Sequence, residues 1–177
     1  MRRSILTAIS ALVAAAVLVP AAGRAAEPAL SLASPAFSDG DAIPVEYTAD
    51  GRDIPPPLDV AGVPAGTVTL ALTVTDPDAP GGTWVHWVVW DIPPGTTRIP
   101  AGTLPAGAAE GRNSWGRPGY GGPQPPRGQT HRYVFTVLAL DTVLHLPARA
   151  GESALLRAVT GHVLAKATLT GRYGPRR

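Results

Sequence analysis

The sequence predicts a single β-rich domain made of many short strands. The chain has 177 residues, which is enough for one hydrophobic core and too few for two domains of ordinary size. Proline and glycine occur 20 times each, while charged residues make up only 16% of the chain. This composition indicates frequent turns and argues against a long disordered polar tract. Several segments alternate apolar and polar residues, which is the pattern of strands.

The N-terminal end has the pattern of a secretory signal peptide. Arg2 and Arg3 precede an uncharged apolar run over 5–19, and the small-residue segment 21–26 follows it, where a peptidase can cut. The run is shorter than the roughly 20 apolar residues that cross a bilayer. We therefore assign 1–26 to a signal peptide and expect a periplasmic or secreted protein without stable membrane insertion.

The mature domain is expected to cover 27–177, although Arg24 leaves the cleavage site open, and both general secretory and twin-arginine export stay possible. Removing Arg2, Arg3 and Arg24 leaves 12 of the 15 basic side chains against 13 acidic ones, a net charge of about −1. No basic stripe for nucleic acid remains. The chain has no cysteine, which excludes disulfides and a lipid attached through cysteine, so its stability must come from packing.

The clearest strand covers 68–76. Its apolar residues fall on one face and end in Asp76, and threonine and alanine occupy the other face. Pro77 and Pro80 remove backbone donors after the strand, and two glycines at 81–82 favour a turn.

Two more strands follow. The segment 83–92 is bulky on both faces, which is typical of a central strand, and parity predicts that one face carries Trp84, His86, Val88 and Trp90. A Gly/Pro-rich stretch at 100–129 is predicted to be a long loop of functional importance. The segment 131–141 has many aromatic and β-branched residues and is predicted to be the third strand.

The C-terminal part changes period. Apolar residues recur at helical spacing after Ser153, a plausible cap, and they predict one short amphipathic helix through Leu155, Leu156, Val159, Val163 and Leu164. The segment 168–173 alternates again and predicts a last strand. The proline-rich segment 43–58 is interpreted as irregular or as an edge segment.

Four polar side chains lie at strand ends, on rows that are otherwise apolar. They are Asp76, Asp78, His86 and His131. If the three strands are neighbours, these side chains can converge on one pocket, with Trp84 and Tyr133 as its walls. The alternative is structural, because an aspartate beside proline often caps a turn and a single strand histidine is often a satisfied core residue. The loop 120–128 is likewise either an anion-binding concavity or a stiff turn.

Several separated segments together resemble the phosphatidylethanolamine-binding protein family, in its bacterial Raf kinase inhibitor-like branch. In chain order they are Asp76-Pro77-Asp78-Ala79-Pro80, Trp84-Val85-His86-Trp87, Gly121-Gly122-Pro123 with Pro125-Pro126-x-Gly128, His131-Arg132-Tyr133, Ala139-Leu140-Asp141 and Gly161-His162-x-Leu164-Ala165. The resemblance covers nearly the whole mature chain.

The resemblance implies a mostly β fold with minor α content, an antiparallel Greek-key β-sandwich with one or two peripheral helices. It also implies a small cavity that accepts phosphate-like or carboxylate groups. Carried over position by position, the ligand-binding residues are Asp76, Asp78, Trp84, His86, Gly122, Pro125, His131 and Tyr133. In eukaryotic members this cavity is linked to lipid head groups and to the regulation of kinases, and those partners are not assumed here. The chain departs from the bacterial branch at Gln124, where cysteine is common, and at Asp91, where asparagine is common.

We expect a protein that binds a small anionic ligand and uses no cofactor or metal. We also expect it to regulate or inhibit an unidentified protein. We also expect His86 and His131 to become cationic as the pH falls from ~7.5 toward ~5.5, which would raise affinity for phosphate-type ligands. Three alternatives stay open. They are a hydrolase, for which Ser114 is the nearest nucleophile, a zinc site on the Asp/His cluster, and a protein-interaction loop around Trp115 and Tyr120.

Overall fold

The computed structural model describes residues 29–174. The predicted signal peptide lies outside the described residues. Among the helices of the described part, none is long and apolar enough to cross a bilayer. In chain order the elements are β1 (Ser31–Ala33), a 3-10 turn (Val45–Tyr47), β2 (Leu58–Ala61), β3 (Thr69–Asp76), β4 (Trp84–Ile92), β5 (Arg98–Ile99), β6 (Ala109–Glu110), β7 (His131–Leu140), α1 (Glu152–Ala158) and β8 (Val163–Tyr173).

The strands form two antiparallel sheets. The smaller sheet has the order β1-β2-β5, and the larger has the order β6-β4-β3-β7-β8. Because β3 lies between β4 and β7 and runs antiparallel to both, the end of β3 meets the start of each neighbour. The prediction of a mostly β fold with antiparallel sheets and a helix is confirmed.

Each face of the five-stranded sheet covers a separate apolar core. The first core lies between the two sheets and includes Leu58, Leu72, Trp87 and Phe135. The second core lies under α1 and includes Ala71, Val88, Trp90, Leu138 and Leu155. Successive residues of β3, β4 and β7 alternate between the cores, which explains why both faces of β4 are bulky.

An irregularity in β4 corrects the predicted parity of that strand. Val85 pairs with Thr75 and Trp87 pairs with Val74, so His86 is an extra residue without a partner on β3. An extra residue of this kind, a β-bulge, reverses the facing of the residues that follow it, until a second register shift between Val89 and Ile92 returns Ile92 to the first core. Trp84 and His86 therefore line the cavity at the strand ends, while Val88 and Trp90 face the second core. The four do not share one face.

The predicted helix is shorter than its apolar pattern suggested. It begins at Glu152 after Gly151, which caps it without a side-chain hydrogen bond, so Ser153 is not the cap. It ends at Ala158, and Gly161 then takes a φ of 83°, which L side chains rarely adopt. Val163 and Leu164, predicted as helical, are exposed residues at the start of β8.

Two segments predicted to be irregular contain short elements. The segment 43–58 holds the 3-10 turn and ends at the first residue of β2, and the long loop 100–129 includes the two residues of β6. The two strands, β2 and β6, depend on pairing with residues that are distant in the chain. β6 pairs with β4, and β2 pairs with β1 and β5.

Candidate functional site

A cavity of about 330 Å³ lies where the end of β3 meets the starts of β4 and β7. We call it the Asp/His cavity. The predicted site residues that line it are Asp76, Trp84, His86, Pro125 and His131. The cavity volume falls within the ~300–1,000 Å³ typical of small-molecule sites. The predicted convergence of three strand ends is therefore present for these five residues, and the other three lie elsewhere.

A buried ion pair forms the floor of the Asp/His cavity. His131 Nδ1 donates to Asp76 Oδ2 at 2.8 Å, and the two side chains are 4% and 5% exposed. On its other side, His131 Nε2 lies 3.0 Å from Gln129 Oε1. Because the Asp76 carboxylate can only accept, His131 Nδ1 carries a proton, and the Gln129 amide caps the other ring nitrogen. His131 is therefore the hydrogen-bond partner of the buried Asp76 carboxylate.

Asp76 also performs the structural role that the sequence left open. Its second oxygen, Oδ1, accepts the backbone N–H of Asp78 at 2.8 Å, which is the turn-capping bond expected of an aspartate before proline. Both carboxylate oxygens are engaged, so Asp76 holds the turn after β3 and orients His131 at the same time.

His86 is held in one tautomer. Its Nδ1 lies 2.6 Å from the Gly121 carbonyl oxygen, and because a carbonyl only accepts, Nδ1 carries the proton. Burial lowers the pKa of His86, although the bonds from the glycine loop and the charge of Asp76 oppose that effect. A neutral ring leaves Nε2 as an acceptor. The lowered pKa moves the charging of His86 to a lower pH than that of a free histidine, which argues against the expectation that it becomes cationic at mildly acidic pH.

Asp78 does not line the Asp/His cavity. Arg132 Nε and Nη2 donate to its two oxygens at 2.9 and 2.6 Å, and the Arg132 backbone N–H adds a third bond at 2.9 Å. These bonds lower the pKa of Asp78 to about 2. The carboxylate forms a surface clamp between the end of β3 and the start of β7, and this clamp corrects its predicted place in the pocket.

Gly122 also lies outside the cavity lining, and its backbone N–H is used within the protein. The N–H donates to Asp53 Oδ1 at 2.6 Å. A Cβ at this position would lie 2.7 Å from the backbone of Thr48 and of Ala49, so only glycine allows the loop to approach this closely. Gly122 thus shapes the loop instead of offering its N–H to an anion. Asp53, which sequence reasoning missed, holds the loop through this bond. Its own backbone has a φ of 56°.

Tyr133 lies behind the Asp/His cavity, not on its surface. It is completely buried, and its ring packs edge-on against His86 with ring centroids 5.1 Å apart. Its hydroxyl has no hydrogen-bond partner among the described residues, although the Asp76 carboxylate and the Gln124 backbone lie near it, and burial raises its pKa. Tyr133 is therefore a supporting residue behind the wall of the cavity.

The rim of the cavity includes residues that the predicted set omitted. They are Ala79, Pro80, Trp115, Gln124 and Pro126. Trp115 packs edge-on against both His86 and Trp84, with centroids 5.1 and 5.4 Å apart. The sequence placed Trp115 in a possible interaction loop and Gln124 near the pocket. No spacing signal could assign Trp115 to the cavity, because it comes from a loop far from the strand ends in the chain.

Comparison with known proteins identifies the family. A family model described as phosphatidylethanolamine-binding protein matches residues 33–174. A UPF0098 protein of Methanothermobacter thermautotrophicus is 48% identical over 149 residues, covering 81% of this chain and 98% of the relative. A Mycobacterium tuberculosis protein named as lipoprotein LppC is 45% identical over 150 residues, covering 84% and 74%. The solved structure of CT736, a phosphatidylethanolamine-binding protein homologue of Chlamydia trachomatis, aligns with a TM-score of 0.80 and 38% identity, covering 84% of this chain and 99% of that one. This chain belongs to the phosphatidylethanolamine-binding protein family.

Proposed function

We propose that this chain is an exported binding protein that holds a small anion, phosphate-like or carboxylate, in the Asp/His cavity. The observation that carries the proposal is the buried pair of His131 and Asp76, whose side chains line a cavity of small-molecule size. A His131 ring protonated on both nitrogens would offer an oxyanion a charge-assisted hydrogen bond, which is roughly twice as strong as a neutral one.

The carboxylates near the cavity do not oppose an anion. Asp76 is paired with His131, and Asp78 is paired with Arg132. Gln129, whose amide oxygen lies 3.0 Å from His131 Nε2, is an exposed side chain. An oxyanion that accepts from a protonated Nε2 can therefore take the place of the Gln129 amide without leaving a buried group unpaired.

The contacts favour binding over hydrolysis. The hydroxyl of Ser114 accepts the backbone N–H of Val85 at 2.8 Å, and Ser114 lines a different cavity from the one that contains His86. A nucleophile would need to lie within hydrogen-bond reach of its base. Among residues 29–174, no group of three or more histidine, aspartate and glutamate side chains is arranged to hold a metal ion. We therefore propose a binding role without turnover.

The location is proposed from the N-terminal pattern. The Arg2-Arg3 pair and the apolar run after it are typical of an export signal, and a relative from Mycobacterium tuberculosis carries the name of a lipoprotein. This chain has no cysteine, so it would be exported without the lipid that a lipoprotein carries on cysteine.

The test compares two histidines that form the same pair in different surroundings. We expect wild-type protein to bind inorganic phosphate saturably and His131→Gln to bind it at least about tenfold more weakly, because a charge-assisted bond is lost. Isothermal titration calorimetry measures both affinities. His162→Gln is the control, since His162 Nδ1 donates to Asp141 at the same 2.8 Å but on the exposed surface.

His162→Gln should bind phosphate like the wild type. Equal affinities of His131→Gln and wild type, with both proteins folded by circular dichroism, would contradict the proposal.

A further inference from the structure

A second polar cavity of about 510 Å³ lies on the opposite side of β4 from the Asp/His cavity. We call it the arginine cavity, because Arg112, Arg149 and Arg157 all line it. Thr83 and Val85 of the β4 region face the arginine cavity, whereas Trp84 and His86 face the Asp/His cavity. Successive residues at the start of β4 thus face alternately toward the two cavities.

The three arginines come from separate segments that are fixed together. The Arg112 backbone N–H donates to the Ala150 carbonyl at 2.8 Å, and Arg112 also bridges to Gly151. Gly111 approaches Ala150 so closely that any side chain there would clash with its carbonyl. Leu155, fully buried in the second core, fixes the helix that carries Arg157. Backbone hydrogen bonds and packing therefore hold the segments that carry the three arginines.

The positive charge of the arginine cavity is not neutralised within the described part of the chain. None of Arg112, Arg149 and Arg157 lies within ion-pair distance of a described carboxylate, whereas Arg52, Arg98, Arg117 and Arg132 do. Residues 29–174 contain ten basic and twelve acidic side chains. Three of the ten basic side chains therefore lie together in one cavity without an ion-pair partner. Glu152 is the one acidic side chain that lines the same cavity, and burial raises its pKa, so one carboxylate stands against three guanidinium groups.

We propose that the arginine cavity is a second anion site, which binds a small molecule carrying phosphate groups. Guanidinium groups bind phosphate oxygens in pairs, and three of them around one cavity suit a ligand with more than one negative charge. The cavity volume is in the ~300–1,000 Å³ range of small-molecule sites. The serine hydroxyls of Ser114 and Ser153 line it as well and add neutral donors.

Inorganic pyrophosphate is the probe. We expect wild-type protein to bind it saturably, and the triple variant Arg112→Gln, Arg149→Gln, Arg157→Gln to bind it at least about tenfold more weakly in calorimetry. Each single variant should weaken binding by about threefold, as expected for an exposed charge. The single variants also keep the test valid should the triple variant fail to fold, since all three side chains are exposed.

Two controls separate this site from the Asp/His cavity. Arg98→Gln removes an exposed arginine from the other sheet and should leave pyrophosphate affinity unchanged. His131→Gln should keep the binding that depends on the three arginines, whatever it does to phosphate in its own cavity. The proposal is overturned if the wild type shows no saturable binding below about 10 mM, if Arg98→Gln weakens binding as much as the triple variant, or if only His131→Gln weakens it.

Discussion

The two cavity histidines have opposite electrostatic roles although they lie side by side. His131 is balanced by a carboxylate in a buried pair, whereas His86 faces a backbone carbonyl and burial lowers its pKa. Because burial disfavours the cation of His86 in the folded state, the unfolded chain takes up the proton first as the pH falls below about 6.5. His86 therefore reduces folding stability at acidic pH, and any charge it gains comes later than that of a free histidine.

The protonation of His86 can be measured directly. At pH about 6.5 we expect nitrogen NMR to show a smaller imidazolium fraction for His86 in the folded protein than in urea, since burial disfavours the cation. The neutral ring should carry its proton on Nδ1, which the Gly121 carbonyl holds. The control is the same residue in urea, which should titrate near 6.5. An equal or larger imidazolium fraction in the folded protein would contradict the assignment.

The strand ends that form the site are joined by side chains as well as by backbone pairing. β3 and β7 pair from Thr69 to Thr75, and just beyond this ladder Asp78 accepts three bonds from Arg132. The clamp joins residues that are close in the chain to the pair of Asp76 and His131. The pKa of Asp78, lowered to about 2 from 3.8 by Arg132, means that the clamp stabilises the fold above about pH 4 and loses this effect as the pH falls toward 2.

Replacing the clamp tests this account. We expect Asp78→Asn to lower the free energy of unfolding at pH 5, and we expect its difference from the wild type to shrink as the pH falls from about 4 to about 2. Urea denaturation at several pH values measures both. The effect should be modest, because the Arg132 side chain is 53% exposed.

The control for the clamp is Asp59→Asn, which removes a carboxylate that lies 3.6 Å from Arg98 on the other sheet. Asp59→Asn should lower the free energy of unfolding at pH 5 by less than Asp78→Asn does, since it removes one long contact and not three hydrogen bonds. A difference between Asp78→Asn and wild type that stays constant down to pH 2 would show that the carboxylate acts through something other than its charge.

At the scale of the molecule, the sequence predicted those features of the fold that depend on neighbouring residues. The alternation over 68–76 and 131–141 gave long strands, because facing is set by neighbouring residues. The bulge at His86 reverses that facing, and no residue type marks it. The helix was extended too far because Val163 and Leu164 keep its spacing after the turn at Gly161.

The site was predictable for the same reason only in part. Asp76 and His131 are ends of strands that the pattern identified. The bond from Gly122 to Asp53 joins residues 69 apart in the chain, and the short strands β1, β5 and β6 exist only through distant partners. Contacts between such segments are decided by the packed whole, which a single sequence does not display.

Both cores lie on the same five-stranded sheet, so they should unfold together. Leu72→Ala empties a position in the first core and Leu155→Ala one in the second, and both leucines are almost completely buried. Each substitution is expected to cost about 2–5 kcal/mol and to keep a single unfolding transition, because β3, β4 and β7 contribute residues to both cores. Urea denaturation followed by tryptophan fluorescence and by circular dichroism measures this. Noncoincident transitions in Leu155→Ala, with the sheet signal lost later than the helix signal, would show instead that α1 detaches while the sandwich and its Asp/His cavity stay folded.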